Sequence, residues 1–213
     1  MRERYLNRAD AGRALADELT RYVDRDDVVV LALPRGGVPV GVEVAQALHA
    51  PLDVFVVRKL GAPGFEELAM GAVASGGVRV LNTDVVQDLG ISGPAIEHAA
   101  ARELLEVERR ERAYRGDVPL LDLKGRTVLL VDDGLATGST MLAAVRAVRQ
   151  RGPARIVVAV PVASAQASRD LVGEADEVVC PLVPRRFSAV GEWYADFSQT
   201  TDEDVIAMLK AHG

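Results

Sequence analysis

One stretch decides the fold, and it reads Val128-Leu-Leu-Val-Asp132-Asp133-Gly134-Leu-Ala136-Thr137-Gly138-Ser139-Thr140. It opens with an unbroken run of Val and Leu, which is typical of a strand that is buried on both faces. Two adjacent carboxylates follow, and then a short loop of small and hydroxyl-bearing residues. The segment 141–149 has the period of an amphipathic helix. The stretch therefore predicts a strand, a tight loop and the N-terminus of a helix.

The predicted loop has the chemistry of a phosphate site. Backbone N–H groups converge at the start of a helix, and the helix dipole adds partial positive charge. Gly138 permits a close approach of the backbone, and the hydroxyls of Thr137, Ser139 and Thr140 can each donate a hydrogen bond. Neither the Gly-Lys-Ser/Thr of the nucleotide P-loop nor the spaced glycines of the dinucleotide fingerprint is present.

The acid pair predicts a polyol beside that phosphate. Asp132 and Asp133 would repel a phosphate placed directly on them, but carboxylates accept hydrogen bonds from vicinal hydroxyls and can hold a metal through water. A phosphate on one side and a diol on the other describe a ribose 5-phosphate.

This pattern resembles the motif with which type I phosphoribosyltransferases bind 5-phosphoribosyl 1-pyrophosphate (PRPP). The resemblance implies that Asp132 and Asp133 hold the ribose 2- and 3-hydroxyls, and that Mg²⁺ binds at the same pair, through water or the ribose hydroxyls. It also implies that five residues bind the 5-phosphate: Ala136, Thr137, Gly138, Ser139 and Thr140. The alternative is a capped helix with an incidental Asp pair.

Two residues depart from the pattern of the family. Many members have an apolar residue after the acid pair, where this chain has Gly134. The branch that acts on 6-oxopurines usually has an Asp at the position of Ala136, and that Asp serves as a base toward the purine. Because Ala136 cannot move a proton, either the nucleobase needs no such help or the substrate is something else.

A second apolar run, Val28–Leu33, is followed by Pro34-Arg35-Gly36-Gly37 and a predicted helix through Leu48. Paired glycines permit unusual backbone angles, and the planar guanidinium of an arginine suits phosphate oxygens. A third strand is predicted over 53–57, with two cations at its end and a loop-forming segment over 60–68. The resemblance implies a mobile loop there, which closes over the reacting centre, and a pyrophosphate site made of Arg35, Gly36, Gly37, Arg58 and Lys59. The alternatives are a glycine-rich turn with a surface arginine and cations that serve solubility.

The segment at about 184–200 concentrates the aromatic residues, with two of the four Phe and the single Trp of the chain. It resembles the closing segment of 6-oxopurine phosphoribosyltransferases, in which an aromatic side chain stacks on the base. The resemblance implies an acceptor site with Phe187, Trp193 and Asp196. The alternative is that Trp193 and Tyr194 fill a small satellite core. The resemblance to a purine enzyme conflicts with Ala136, and the sequence leaves that conflict open.

Length and composition predict one phosphoribosyltransferase-like domain over 1–213, with a helical insertion at about 82–118 and the aromatic hood or lid segment. The chain has 213 residues, of which 49% are hydrophobic, which is ample for a core. The net charge of −6 argues against a nucleic-acid backbone as the main partner. The lone Cys180 excludes an internal disulfide. No signal peptide or membrane-length apolar run is found, which predicts a soluble, cytoplasmic protein with no membrane partner.

Alternating apolar strands and helices predict a parallel α/β core with helices on both faces. Within the insertion, a long helix rich in Glu and Arg is predicted from Ser92 to about Tyr114, and we call it the charged helix. We expect a small hood, built from the N-terminal segment, the charged helix or the aromatic segment. The implied activity is transfer of a 5-phosphoribosyl group from PRPP to a small-molecule nitrogen acceptor such as a nucleobase, with Mg²⁺ and release of pyrophosphate. The implied catalytic residues are Arg35, Lys59, Asp132 and Asp133. A regulatory protein that binds PRPP or a nucleotide, a phosphohydrolase-type reaction and a homo-oligomer contact through the charged helix all stay open.

Overall fold

The computed structural model describes residues 4–212, except for the side chains of residues 66 and 67. Its centre is a sheet of five parallel strands. In their order across the sheet, these strands are Leu52–Val54 (β2), Val28–Ala32 (β1), Thr127–Val131 (β6), Arg155–Ala159 (β7) and Glu177–Val179 (β8). A second sheet is antiparallel, and it consists of Val57–Ala62 (β3), Phe65–Ala74 (β4) and Val78–Leu81 (β5).

Seven α-helices accompany the two sheets within the described residues. They are Arg8–Asp17 (α1), Gly37–Leu48 (α2), Thr83–Asp88 (α3), Gly93–Arg115 (α4), Ser139–Arg149 (α5), Ala165–Leu171 (α6) and Asp202–His212 (α7). None of the helices found among residues 4–212 combines the length and the apolar character that a membrane span requires.

Strands β1 and β6 are apolar throughout because helices cover both faces of the parallel sheet. Leu31 and Leu130 are fully buried against α5 and α6 on one face. Val30 and Leu129 are fully buried against α1 and α2 on the other face. The predicted parallel core with helices on both faces is therefore confirmed.

The prediction of one strand over 53–57 was wrong. Strand β2 ends at Val54 in the parallel sheet, and β3 begins at Val57 in the antiparallel sheet. Phe55 and Val56, which lie between the two strands, are 0% and 1% exposed. The apolar run in the sequence therefore continues through the break and gives no sign of it. Residues 60–68, which were predicted as a loop, lie mostly in the β3–β4 hairpin, where Ala62 pairs with Phe65.

The predicted charged helix is α4, and its start is capped by the side chain of Ser92. It packs against β3, β4 and α7.

The hood instead combines the N-terminal segment with the aromatic segment. The Tyr5 N–H donates to the Trp193 carbonyl (2.9 Å), and the Ala195 N–H donates to the Tyr5 carbonyl (2.8 Å). We use the word hood for residues 4–7 together with 187–197.

Candidate functional site

Asp132 and Asp133 lie directly after β6, at the carboxyl edge of the parallel sheet. The loop that follows the neighbouring strand β1 lies against them. A Cβ added to Gly37 would lie 2.7 Å from the Val131 carbonyl oxygen, and one added to Gly36 would lie 2.1 Å from Oδ2 of Asp133. Only glycine permits this approach, so the two loops that the sequence singled out meet at one edge. Ligands bind at this edge in open α/β sheets.

The two carboxylates of the pair are held differently. Oδ1 of Asp132 accepts the Asp133 backbone N–H at 2.8 Å, whereas Oδ2 of Asp133 accepts Nε–H of Arg8, also at 2.8 Å. Burial raises the pKa of Asp132 well above its usual range, and repulsion from the charge of Asp133 raises it further. Burial also raises the pKa of Asp133, although Arg8 opposes that shift. A pair of this kind gains from a hydroxyl donor or a cation placed beside it.

Arg8 is the site residue that the sequence reasoning missed, because the period of α1 shows only which face is buried. Its guanidinium donates to Asp133, donates from Nη1 to the Ser198 carbonyl at 2.7 Å, and lies 3.9 Å from the centre of the Phe197 ring. A signal was present in the sequence. Arg8 is the first residue of a helix capped by Asn7, and a cation there opposes the helix dipole, so it needs an anion nearby.

The predicted phosphate loop forms the N-terminus of α5. Gly138 takes φ of +73°, which glycine adopts readily, and precedes the first residue of the helix. The hydroxyls of Thr137 and Ser139 lie 3.2 Å apart. The Ser164 hydroxyl donates to the Ala136 carbonyl at 2.7 Å and so anchors the start of the loop. Thr137 and Thr140 are exposed, so the loop presents hydroxyls to solvent beside the helix N-terminus.

The adjacent cations Arg58 and Lys59 lie inside β3, so they point to opposite faces. Lys59 lines a groove of about 160 Å³ together with Ser139 of the phosphate loop. Arg58 instead pairs with Glu103 of α4, with Nε–H donating to Oε2 at 2.9 Å. The structure therefore brings Lys59, but not Arg58, to the phosphate loop.

Arg35 is exposed in the glycine loop after β1. The peptide bond between Pro34 and Arg35 is cis. Nη1 of Arg35 lies 3.9 Å from Oδ1 of Asp202 at the start of α7, and the Tyr114 hydroxyl donates to the same oxygen at 2.7 Å. Arg35 thus lies on the loop that contacts the acid pair, and its guanidinium faces the terminal helix.

The hood is attached to the acid pair at two further points. The Tyr194 hydroxyl donates to the backbone carbonyl of Asp133. A Cβ added to Gly134 would lie 2.6 Å from Cγ1 of Val190. This contact explains why the chain has glycine where an apolar residue was expected: the hood occupies the space that such a side chain would need.

Comparison with known proteins agrees with this geometry. The sequence model of the family described as the phosphoribosyl transferase domain matches residues 2–195. This chain belongs to that family. The type I phosphoribosyltransferase resemblance of the central motif is therefore confirmed. The crystal structure of TT1426 from Thermus thermophilus superposes with a TM-score of 0.89 at 47% sequence identity, and the match covers 98% of this chain and 99% of that one.

Two curated relatives extend the comparison. A Mycobacterium tuberculosis protein that carries the provisional name phosphoribosyl transferase is 47% identical over 207 residues, which cover 97% of this chain and 46% of the relative. The chain thus spans about half the length of that relative. The bifunctional protein PyrR of a Roseiflexus species is 32% identical over 162 residues, or 73% of this chain and 68% of the relative.

In this member of the family, the predicted acceptor residues lie in the hood or beside it. The rings of Phe187 and Trp193 stack with centroids 6.5 Å apart and planes inclined by 21°. Both pack against the hydrophobic cluster around Tyr5 and Tyr194, as the satellite-core alternative predicts. Asp196 is exposed and accepts the Ser198 N–H at 2.9 Å. The role of these residues in acceptor binding stays a prediction.

The donor set of this chain allows one kind of metal site. Within residues 4–212, no three His, Cys, Asp or Glu side chains form a group that could hold a metal ion. Asp132 and Asp133 supply carboxylate oxygens, which Mg²⁺ prefers, and Mg²⁺ commonly binds through one or two carboxylates together with substrate phosphates. The residues therefore fit a Mg²⁺ ion that arrives with a polyanionic substrate.

Proposed function

We propose that this protein transfers the 5-phosphoribosyl group of PRPP to a nitrogen acceptor and releases pyrophosphate. One observation carries the proposal: a partly buried acid pair after β6 touches the glycine loop after β1 and precedes a hydroxyl-lined helix N-terminus. The pair suits a diol, and the helix N-terminus suits a phosphate. Membership of the phosphoribosyltransferase family supports the assignment.

The proposed donor site divides PRPP among three elements. The backbone N–H groups and hydroxyls of Ala136 to Thr140 bind the 5-phosphate, and Asp132 and Asp133 accept hydrogen bonds from the ribose hydroxyls. Pyrophosphate lies toward Arg35, the N–H groups of Gly36 and Gly37, and Lys59. Arg58 lies outside the proposed pyrophosphate site, because Glu103 holds its guanidinium on the opposite face of β3.

The proposed reaction needs no protein nucleophile. The bond between the anomeric carbon and the pyrophosphate oxygen breaks, a bond from that carbon to the acceptor nitrogen forms, and the acceptor nitrogen releases its proton to water. Negative charge develops on the leaving pyrophosphate, where Arg35, Lys59 and the loop N–H groups stabilise it. Mg²⁺, when bound at Asp132 and Asp133 with the substrate, supplies further charge neutralisation. The two carboxylates orient the ribose and favour positive character at its ring.

A nucleobase is the proposed acceptor. The hood lies over the edge where the anomeric carbon would sit, and Phe187, Trp193 and Asp196 belong to it. Ala136 offers no side chain to accept the proton of the acceptor, so we expect acceptors whose reacting nitrogen loses its proton readily.

A second candidate is a regulatory protein that binds PRPP or a nucleotide without turnover. The similarity to a bifunctional PyrR protein supports this second candidate. The two candidates share the donor site and differ in chemistry. A regulator would bind PRPP and tolerate loss of Lys59, whereas an enzyme needs that cation beside the leaving group.

The test is a pyrophosphate-release assay with PRPP, Mg²⁺ and a panel of nucleobases. The enzyme proposal predicts release that depends on one acceptor and falls about 100-fold or more in Asp132→Asn with Asp133→Asn, since each group stabilises developing charge. Release without any acceptor would favour the phosphohydrolase-type reaction instead. Binding of PRPP with no release would favour the regulator.

A further inference from the structure

Arg8 is bound on three sides by groups from distant parts of the chain. Its Nε–H donates to Oδ2 of Asp133 at 2.8 Å, its Nη1 donates to the Ser198 carbonyl at 2.7 Å, and its guanidinium lies over the Phe197 ring. The Arg8 and Asp133 side chains are only 12% and 14% exposed. The contact therefore joins the first helix to the acid pair in a largely water-excluded setting, where charge-assisted hydrogen bonds are strong.

We propose that Arg8 is a positioning residue of the transferase site, which fixes the Asp133 carboxylate in the orientation that accepts the ribose hydroxyls. This inference rests on the proposed function. Asp132 is oriented by a hydrogen bond from the backbone, so its direction is set by the β6 loop alone. The corresponding bond to the Asp133 side chain comes from Arg8, and the orientation of that carboxylate depends on it.

An alternative role for Arg8, in which its side chain blocks the site and moves away when PRPP binds, fits the contacts less well. Departure would break two hydrogen bonds and a ring contact together and would leave a buried carboxylate without its counter-charge, which is costly. A residue that stays in place instead spares the site the cost of ordering Asp133 when substrate binds. Pre-organisation of this kind raises affinity for the substrate.

The same contacts make the hood part of the donor site. Phe197 is the last residue of the hood, and Ser198 follows it directly. The Tyr194 hydroxyl holds the Asp133 backbone, while Arg8 holds its side chain. The hood therefore holds the backbone of Asp133 directly, and its Phe197 ring packs on Arg8, which holds the side chain. The N-terminal and aromatic segments thus support PRPP binding as well as the acceptor.

The test compares Arg8→Gln with Arg13→Gln. Arg13 lies on the same helix, is 58% exposed in its side chain and pairs with Glu43 away from the acid pair. We expect Arg8→Gln to weaken PRPP binding about 10- to 100-fold, the range found when the hydrogen-bond partner of a metal-ligating side chain is removed. Arg13→Gln should bind PRPP as the wild type does. Arg8→Lys keeps the positive charge but loses the planar guanidinium. Its affinity for PRPP should therefore lie between those of Arg8→Gln and Arg13→Gln.

A double variant separates positioning from a general role in folding. If Arg8 acts through Asp133, adding Arg8→Gln to Asp133→Asn should weaken PRPP binding no further, because the two changes remove one shared interaction. Independent, additive losses would contradict the proposal. Calorimetric titration with PRPP and Mg²⁺ serves as the readout, and thermal unfolding confirms that each variant is folded.

The outcomes also distinguish the two proposals. A wild type that binds PRPP while Arg8→Gln and Arg8→Lys bind it equally well would overturn the role of Arg8 and leave the proposed function intact. A wild type that binds no PRPP would overturn both. Weakened binding in Arg8→Gln, with no further loss when it is added to Asp133→Asn, is the result that the inference predicts.

Discussion

Gly36 and Asp133 follow two neighbouring parallel strands and lie in direct contact, so that a Cβ on Gly36 would lie 2.1 Å from Oδ2 of Asp133. The same oxygen accepts the hydrogen bond from Arg8. The glycine loop, the acid pair and the first helix therefore meet at one carboxylate oxygen. A change at Gly36 cannot be absorbed without moving that carboxylate or the loop.

This contact makes Gly36→Ala a sharp test of the donor site. We expect PRPP affinity to fall at least about tenfold, together with a loss of about 1–3 kcal/mol in the free energy of unfolding from overpacking. Gly93→Ala is the matched control, because a Cβ on Gly93 would meet nothing within 4 Å. Titration calorimetry and chemical denaturation measure the two effects. Unchanged PRPP affinity in folded Gly36→Ala would contradict the assigned geometry.

Asp132→Asn should stabilise the protein in the absence of ligand. Burial and the neighbouring Asp133 raise the pKa of Asp132, so the folded state binds a proton more readily than the unfolded state and loses stability as pH rises above the usual Asp pKa. The Asn variant escapes this loss of stability, and its Oδ1 can still accept the Asp133 backbone N–H. We expect a higher Tm at pH 7, by about 2–4 °C for each kcal/mol relieved, and a smaller difference as pH falls toward about 4, where the unfolded carboxyl also binds its proton.

Differential scanning calorimetry at the two pH values checks this prediction. Asn in place of Asp132 keeps the size of the side chain, so the comparison isolates the charge. A Tm at pH 7 below that of the wild type would contradict the prediction, because it would show that the ionised carboxylate stabilises the unliganded fold.

The adjacent cations of β3 offer a matched pair. Lys59→Gln should lower turnover by about 100-fold, because the proposed donor site places this cation beside the leaving pyrophosphate, where it stabilises developing negative charge. Arg58→Gln should leave turnover nearly unchanged and reduce stability, because it breaks the pair with Glu103. Steady-state kinetics and thermal unfolding test both variants. Equal losses of turnover would contradict the different roles assigned to the two faces of β3.

Trp193→Phe tests whether the indole N–H in the hood takes part in acceptor recognition. The indole Nε1 is buried and has no hydrogen-bond partner among the described residues, so its removal relieves an unsatisfied group. We expect unchanged or slightly raised stability and an unchanged KM for the acceptor. A KM raised about tenfold or more would instead assign the indole N–H to acceptor recognition.

Much of the fold could be predicted because local pattern and tertiary structure agree. The run after Arg126 is buried on both faces, as its composition indicates, and Ser92 and Asn82 cap the helices that they precede. The break between β2 and β3 could not be predicted, since Phe55 and Val56 are buried at the junction of two sheets and continue the apolar run.

The geometry of the candidate site could be predicted where it depends on one continuous motif, and it was missed where it depends on distant contacts. Asp132 to Thr140 fold locally as a strand end, loop and helix start. Arg8 and Asp133 are 125 residues apart in the sequence. The helical period around Arg8 gives no indication of that partner. Arg58 and Lys59 looked equivalent in the sequence, and only their placement within a strand separates them.

The most direct test of the central claim is calorimetric titration with PRPP, with and without Mg²⁺, on the wild type and on Thr137→Asp. The variant places a negative charge in the proposed 5-phosphate loop, where it repels the phosphate. Thr83→Asp places the same charge in the first turn of α3 and serves as the control. We predict Mg²⁺-dependent binding by the wild type and Thr83→Asp, with loss of binding in Thr137→Asp. Equal binding by all three proteins, or none by the wild type, would contradict the proposed donor site.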